Sequence, residues 1–181
     1  MKGILFLCVA NSARSQMAEG IARSLAPSGM KVWSAGSRPT SVRPEAITVL
    51  KEIGIDIFHH RSKAVAEIPA DQVDTVITLC GEEECPLFLG KARRLHWGLP
   101  DPAAVMGSAE DRLAAFRNTR DDLRHRIEAL LTGKEIRDGQ DQGNEAEEEG
   151  LLRHPEGVDD EDERGLWPRL RLPRRGEEGQ G

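Results

Sequence analysis

The chain of 181 residues has no tyrosine, few aromatic side chains and no long apolar run. A helix that crosses a bilayer needs about 18 consecutive apolar residues, and no stretch approaches that length, so the sequence predicts no membrane span. The apolar run at residues 3–10 starts too early and ends in residues too polar for a secretory signal peptide. Three cysteines are too few for a disulfide scaffold. We therefore expect a cytoplasmic protein whose cysteines are thiols.

The net charge of −6 is concentrated in one part of the chain. Residues 1–132 carry 17 Lys and Arg against 16 Asp and Glu, whereas residues 133–181 carry 8 against 15. The second segment also has 9 Gly and little apolar periodicity, so it cannot bury enough surface to offset its conformational entropy. Its four late arginines are interleaved with acids and do not favour nucleic-acid binding. We predict a domain at 1–132 and a disordered acidic tail at 133–181.

Apolar runs rich in strand formers alternate with amphipathic helical patterns along residues 1–132. Strands are predicted at residues 2–7, 30–35, 73–79 and 92–97. Helices are predicted from Ser15 to Pro27, from Pro44 to Gly54, with Ile53 on the apolar face, and around 113–130, where Arg120 interrupts the apolar stripe. Alternating strands and helices imply parallel pairing through right-handed crossovers. The predicted fold class is α/β, with a small doubly wound parallel sheet.

A short polar loop between the first strand and the first helix carries the strongest functional signal. Ligands of doubly wound sheets bind outside the strand ends, where loop N–H groups and a helix N-terminus attract anions. Arg14 follows Cys8 by six residues and can bind two oxygens of an oxyanion, while the same donors favour a thiolate at Cys8. Ser15 can donate a further hydrogen bond to the sulfur. The predicted oxyanion-binding loop comprises Val9, Ala10, Asn11, Ser12, Ala13, Arg14 and Ser15. The alternative is a buried strand-end cysteine followed by a solvated arginine.

Several motifs of residues 3–131 resemble the low-molecular-weight protein tyrosine phosphatases and, within that superfamily, the thioredoxin-coupled arsenate reductases. The markers are Leu5-Phe6-Leu7-Cys8, Asn11-Ser12-Ala13-Arg14-Ser15-Gln16-Met17-Ala18-Glu19-Gly20, Ser34-Ala35-Gly36, Pro44-Glu45-Ala46 leading to Ile55-Asp56-Ile57, and His96-Trp97-Gly98 before Asp101-Pro102. The resemblance implies a four-stranded parallel sheet flanked by helices. It also implies that Cys8 is the nucleophile and that Arg14 and the loop stabilise the charge that develops on the oxyanion.

The two branches of this superfamily differ in the step after the attack by Cys8. A phosphatase would use Asp101 as general acid and then to assist hydrolysis of the covalent intermediate. A reductase needs a second thiol, and the resemblance implies that Cys80 resolves the Cys8–arsenic adduct and that Cys85 passes the disulfide to thioredoxin. In the reductase branch Asp101 would protonate the leaving oxygen. A pocket without tyrosine has little to stack on an aryl phosphate, which favours the small arsenate ion.

Other interpretations of these residues remain. Cys80 can be a buried small hydrophobe, or Cys80 and Cys85 can be half of a zinc site, although no further cysteine lies nearby. Adjacent His59 and His60 point in different directions, so we predict no metal there and no tightly bound cofactor. We expect a monomer that binds arsenate or phosphate and a thioredoxin-like reductant. A low-molecular-weight phosphatase and a non-catalytic oxyanion-binding protein are the alternative functions.

Overall fold

The computed structural model describes residues 2–81 and 86–134, which contain four strands and three α-helices. The strands are β1 (Gly3–Cys8), β2 (Lys31–Gly36), β3 (Thr75–Cys80) and β4 (Arg93–Leu99). The helices are α1 (Arg14–Leu25), α2 (Pro44–Lys51) and α3 (Ala109–Thr132), and short 3-10 turns occur at Val65–Glu67, Ala70–Gln72 and Pro102–Ala104. No helix in the described ranges is both long enough and apolar enough to traverse a lipid bilayer.

All four strands are parallel and lie in the order β2-β1-β3-β4. This arrangement confirms the predicted α/β fold class, with the first strand at the centre. Each predicted strand is displaced by one or two residues from the observed one, because turn residues at the strand ends can still join the ladder. The carboxyl ends of β1 and β3 are therefore adjacent, and the loop that follows β1 lies where parallel sheets bind ligands.

Side chains that alternate along the strands form two apolar clusters, one on each face of the sheet. Ile4, Phe6 and Ile77 lie in the larger cluster with α1 and α3, and Leu5, Leu7 and Val76 lie in the smaller one with Phe88. Helix α1 is buried along its first nine residues because it packs between the sheet and α3. A helix buried on every side must find partners for its polar side chains, and these partners surround the Cys8 loop.

Helix α2 and strand β4 each show a feature that the sequence pattern did not predict. Helix α2 ends at Lys51, so Ile53 lies in the turn beyond it, where its N–H donates to Leu50 O at 3.1 Å, and not on the helix as predicted. Strand β4 carries two arginines because it is an edge strand with one exposed face. Arg94 reaches back to donate to Phe88 O at 2.7 Å, which satisfies a loop carbonyl.

Arg120 interrupts the apolar stripe of α3 because it holds the end of α2. The residue is buried, and its guanidinium donates to Val49 O at 2.9 Å and to Glu52 Oε2 at 2.9 Å. The last carbonyls of a helix have no partner inside the helix and carry partial negative charge. Arg120 therefore joins α2 to α3 through these contacts, which explains why a charged residue lies within the apolar stripe.

Helix α3 ends at Thr132, next to the predicted domain boundary. Gly133 adopts the left-handed conformation with φ of 69°, and Lys134 N–H donates to Ala129 O at 3.0 Å, which closes the helix. Residues 135–181 lie outside the described residues, as does Cys85. The division into domain and tail, and the disorder of the tail, stay predictions.

Candidate active site

Cys8 is the last residue of β1, and two donors converge on its sulfur. The Asn11 N–H points at Sγ from 3.2 Å, and Ser15 Oγ lies 2.9 Å from Sγ, both in buried surroundings. Cys8 itself is only 3 % exposed. The sulfur that the sequence predicts as nucleophile is therefore held between the loop backbone and the first turn of α1.

The loop after Cys8 is shorter than predicted, because α1 begins at Arg14. Arg14 and Ser15 therefore belong to the first turn of the helix, while residues 9–13 form the loop proper. The N-cap position is Ala13, whose methyl group cannot accept a hydrogen bond. The first-turn N–H groups therefore have no capping side chain, and the positive end of the helix dipole lies beside the pocket that Ala13 and Arg14 line.

Asn11 holds the loop in its curved shape. It is the one non-glycine residue with positive φ (47°) among the described residues, a conformation that asparagine tolerates better than most side chains. Its side-chain amide donates to Ser15 Oγ at 2.9 Å and to Ser34 Oγ at 2.8 Å, and its Oδ1 accepts from Lys63 N–H at 2.7 Å. Buried and fully engaged, Asn11 turns its backbone N–H toward Cys8.

Arg14 extends from the loop toward the ends of β3 and β4. It is 4 % exposed, and its NH1 group donates to Leu99 O at 2.9 Å and to Leu79 O at 3.4 Å. Its NH2 group lies 3.8 Å from Asp101 Oδ1. Asp101 also accepts from Ala103 N–H at 3.2 Å, so the carboxylate both caps a turn and faces the guanidinium. Asp101 therefore caps the turn that follows it and also lines the pocket.

These residues enclose a pocket of about 200 Å³ beside the Cys8 sulfur. Its lining consists of Cys8, Val9, Ala10, Ser12, Ala13, Arg14, Arg38 and Asp101. Among these, sequence reasoning identified all but Arg38, which comes from the segment after β2. A pocket this small, with two guanidinium groups and loop amides, suits a compact tetrahedral anion.

Cys80 ends β3, the strand next to β1. Its side chain is fully buried. The register pairs Leu7 with Thr78 on the β1 side and Cys80 with Leu99 on the β4 side. Arg14 binds the carbonyls of Leu79 and Leu99, so it spans the gap between the Cys8 pocket and the backbone around Cys80. The structure thus brings these two cysteines to neighbouring strand ends.

Known proteins are similar to this chain in sequence and in fold. Residues 3–142 match the family model of low molecular weight phosphotyrosine protein phosphatases. The arsenate reductase of Bacillus subtilis is 40 % identical over 136 residues, which cover 74 % of this chain and 98 % of that protein. The chain belongs to the arsenate reductases of this family.

Two solved structures of arsenate reductases are also similar to this chain. An arsenate reductase in a phosphate-binding state is 35 % identical, with a TM-score of 0.60 over 75 % of this chain and all of that one. A thioredoxin-dependent arsenate reductase from Corynebacterium glutamicum is 26 % identical, with a TM-score of 0.56 over 74 % of this chain and 61 % of that one.

Behind the loop of this reductase lies a buried ionic cluster that sequence reasoning did not identify. Glu19 is 1 % exposed and binds Lys63 Nζ at 3.0 Å and Arg23 at 2.5 Å, and Ser34 donates a short hydrogen bond to it. Ser34 in turn accepts from Asn11. The sequence offered one signal, a glutamate inside the predicted first helix. The structure shows that residues 14–22 of this helix are all buried. The cluster supports the residue that shapes the loop.

Gln16 and His60 form a second support for the same loop. Gln16 Nε2 donates to Asn11 O at 3.1 Å and to Arg61 O at 2.9 Å, and its Oε1 lies 3.0 Å from His60 Nδ1. Partial burial lowers the pKa of His60 below its usual range, opposed by Glu19 and Asp56 and assisted by Arg23 and Lys63. Because Gln16 Nε2 donates to two backbone carbonyls, its Oε1 is the acceptor and His60 Nδ1 donates to it.

This depressed pKa makes stability depend on pH. The unfolded chain takes up a proton at His60 below about pH 6.5, whereas the folded chain resists it until lower pH. We expect the free energy of unfolding of the enzyme to fall as the pH drops from 7 to 5, and His60→Gln to reduce that fall. Urea unfolding at both pH values measures the effect, with His59→Gln at the exposed neighbouring position as control. An equal fall in both variants would contradict the assignment.

Proposed function

We propose that this enzyme reduces arsenate to arsenite with Cys8 as nucleophile, Cys80 and Cys85 as successive resolving thiols, and thioredoxin as electron donor. The observation that carries the proposal is a second buried thiol, Cys80, at the end of the strand adjacent to the one that bears Cys8. A phosphatase would need the nucleophile and the anion pocket alone. Several relatives of this chain are named arsenate reductases, which favours the same reaction.

In the first step, the Cys8 thiolate attacks arsenic in the pocket. Arg14 and the loop N–H groups bind the equatorial oxygens and stabilise the charge that develops on them. One arsenate oxygen departs as water after protonation, for which Asp101 is the carboxyl group at the pocket lining. A covalent Cys8–arsenic(V) adduct remains.

In the second step, the thiolate of Cys80 attacks Cys8 Sγ. The S–S bond forms as the S–As bond breaks, and its electron pair passes to arsenic, which leaves as arsenite in the +3 state. Cys85 then attacks Cys80, which releases Cys8 as thiolate and leaves a Cys80–Cys85 disulfide. The dithiol of thioredoxin reduces that disulfide, so two electrons enter for each arsenite released. The thioredoxin-dependent structural relative supports this donor.

The second step joins residues that end neighbouring strands. Cys8 is the last residue of β1 and Cys80 is the last residue of β3, which pairs with β1 from Thr75 to Thr78. The pairing of β3 with β4 is irregular between Thr78 and Cys80, so the backbone that carries Cys80 departs from the regular ladder.

Coupled NADPH oxidation through thioredoxin reductase and thioredoxin, beside hydrolysis of p-nitrophenyl phosphate, tests the proposed function. We expect arsenate-dependent oxidation of one NADPH per arsenite released and only slow ester hydrolysis. Efficient ester hydrolysis without arsenate-dependent NADPH oxidation would assign the pocket to a phosphatase. Tight phosphate binding with neither activity would assign it to an oxyanion-binding protein.

A further inference from the structure

Arg38 lines the oxyanion pocket together with Cys8, Arg14 and Asp101, although it comes from a different part of the chain. We propose that Arg38 is a second anion-binding side chain, which contacts the outward-facing oxygens of the bound oxyanion and sets the affinity for it. Arg14 holds the anion from the buried side. The proposal deepens the proposed function at the same site, since it takes the substrate to be a tetrahedral dianion.

The backbone fixes Arg38 at the pocket mouth. Its N–H donates to Val9 O at 2.9 Å, and the N–H of Thr40 donates to Ala10 O at 3.0 Å, so the segment after β2 runs along the Cys8 loop. Gly36 permits this approach, because a Cβ there would collide with the Val9 carbonyl oxygen and lie 2.8 Å from Asn11 N. A side chain at position 38 consequently starts from the rim of the pocket.

The charge count of the pocket leaves a role for this arginine. Arg14 already has protein partners: it donates to the Leu99 and Leu79 carbonyls, and its NH2 group lies 3.8 Å from Asp101 Oδ1. The helix dipole adds only about half a positive charge at the pocket. Arg38 supplies a second full positive charge to the lining.

Arg38 is also available for a ligand. Arg38 is exposed, and within residues 2–81 and 86–134 no carboxylate lies at ion-pair distance from the Arg38 guanidinium. Most other arginines near the site have protein partners: Arg14 binds carbonyls, Arg23 binds Glu19, and Arg61 binds Glu67. An arginine that lines an anion pocket and lacks such a partner binds the anion at little cost in lost contacts.

Arg38→Gln, compared with Arg43→Gln, tests the assignment. Arg43 is exposed on the same segment, its N–H donates to Ser12 O at 2.9 Å, and its loss changes the net charge equally, but it does not line the pocket. Titration calorimetry with inorganic phosphate measures binding without turnover. We expect Arg38→Gln to weaken phosphate binding about tenfold at low ionic strength, and Arg43→Gln to change it less than twofold.

Two further readouts separate anion binding from a structural effect. In the coupled assay, Arg38→Gln should raise KM for arsenate about tenfold with kcat within twofold, and Arg38→Lys should restore part of the loss. The difference from wild type should shrink in 1 M salt, where the screening length is about 3 Å. Equal phosphate affinities of the two glutamine variants at low salt would overturn the proposal. If the enzyme does not reduce arsenate but the two glutamine variants still differ in phosphate affinity, the proposed function is wrong and the role of Arg38 stands.

Discussion

Cys8→Ser is expected to abolish arsenate reduction while the pocket still binds phosphate. The variant replaces a thiolate by a hydroxyl that is neutral at pH 7 and has no redox chemistry, so neither the adduct nor the disulfide can form. Loss of a nucleophile that acts in concert with its surroundings costs on the order of 10⁴-fold or more in rate. The coupled NADPH assay measures the rate, and arsenite release measures the product.

Phosphate titration of the same variant is the control for an intact pocket. The Asn11 N–H and Ser15 Oγ that now face Cys8 Sγ can bond the serine oxygen, so the loop should keep its shape. Removal of the thiolate charge also removes repulsion of the dianion. We therefore expect phosphate affinity equal to or higher than that of the wild type. Arsenite release by Cys8→Ser above a few per cent of the wild-type rate would show that another thiol is the nucleophile.

The supporting shell of the pocket shows what the sequence alone could not reveal. Cys8, Arg14 and Ser15 occupy one short segment between a strand and a helix, so their spacing and context sufficed to predict an anion site. Lys63 lies 52 residues from Asn11, to whose side chain its N–H donates, and only the fold brings them together. No local pattern marks such a pair.

The sequence shows polar residues at apolar positions in this chain but does not show their partners. Glu19 lies within a buried stretch of α1, and Arg120 lies within the apolar stripe of α3, where periodicity alone predicts a hydrophobic residue. Each is buried because it has an ionic partner and a structural task, as buried charges require. Arg38 carried no such signal, since an exposed loop arginine is common and its position at the pocket depends on two backbone hydrogen bonds between loops.

The cysteines show a second limit of what the sequence alone predicts. The end of β3 at Cys80 followed from a run of strand formers, and the parallel order places that end beside Cys8. The irregular pairing of β3 with β4 between Thr78 and Cys80 followed from neither. Cys85 lies outside the described residues, so its role stays a prediction.

Cys80→Ser is expected to stop arsenite release altogether, even in a single turnover. Cys8 and Arg14 remain, so the adduct forms, but no thiol is placed to attack Cys8 Sγ and return the electron pair to arsenic. Serine is nearly isosteric with cysteine, so the fold should persist. Quenched-flow measurement of arsenite per enzyme, in the absence of thioredoxin, should give one equivalent for wild type and less than about a tenth for the variant.

Cys85→Ser is the matched variant, because it removes only the later thiol of the relay. It should release one arsenite per enzyme and then stop, as the Cys8–Cys80 disulfide has no internal thiol to resolve it. Hydrolysis of p-nitrophenyl phosphate by Cys80→Ser should remain at the wild-type rate, since ester hydrolysis requires Cys8, Arg14 and Asp101 alone. Sustained arsenate turnover by Cys80→Ser would mean that an external thiol attacks the adduct directly. The proposed role of Cys80 and Cys85 as successive resolving thiols would then be wrong.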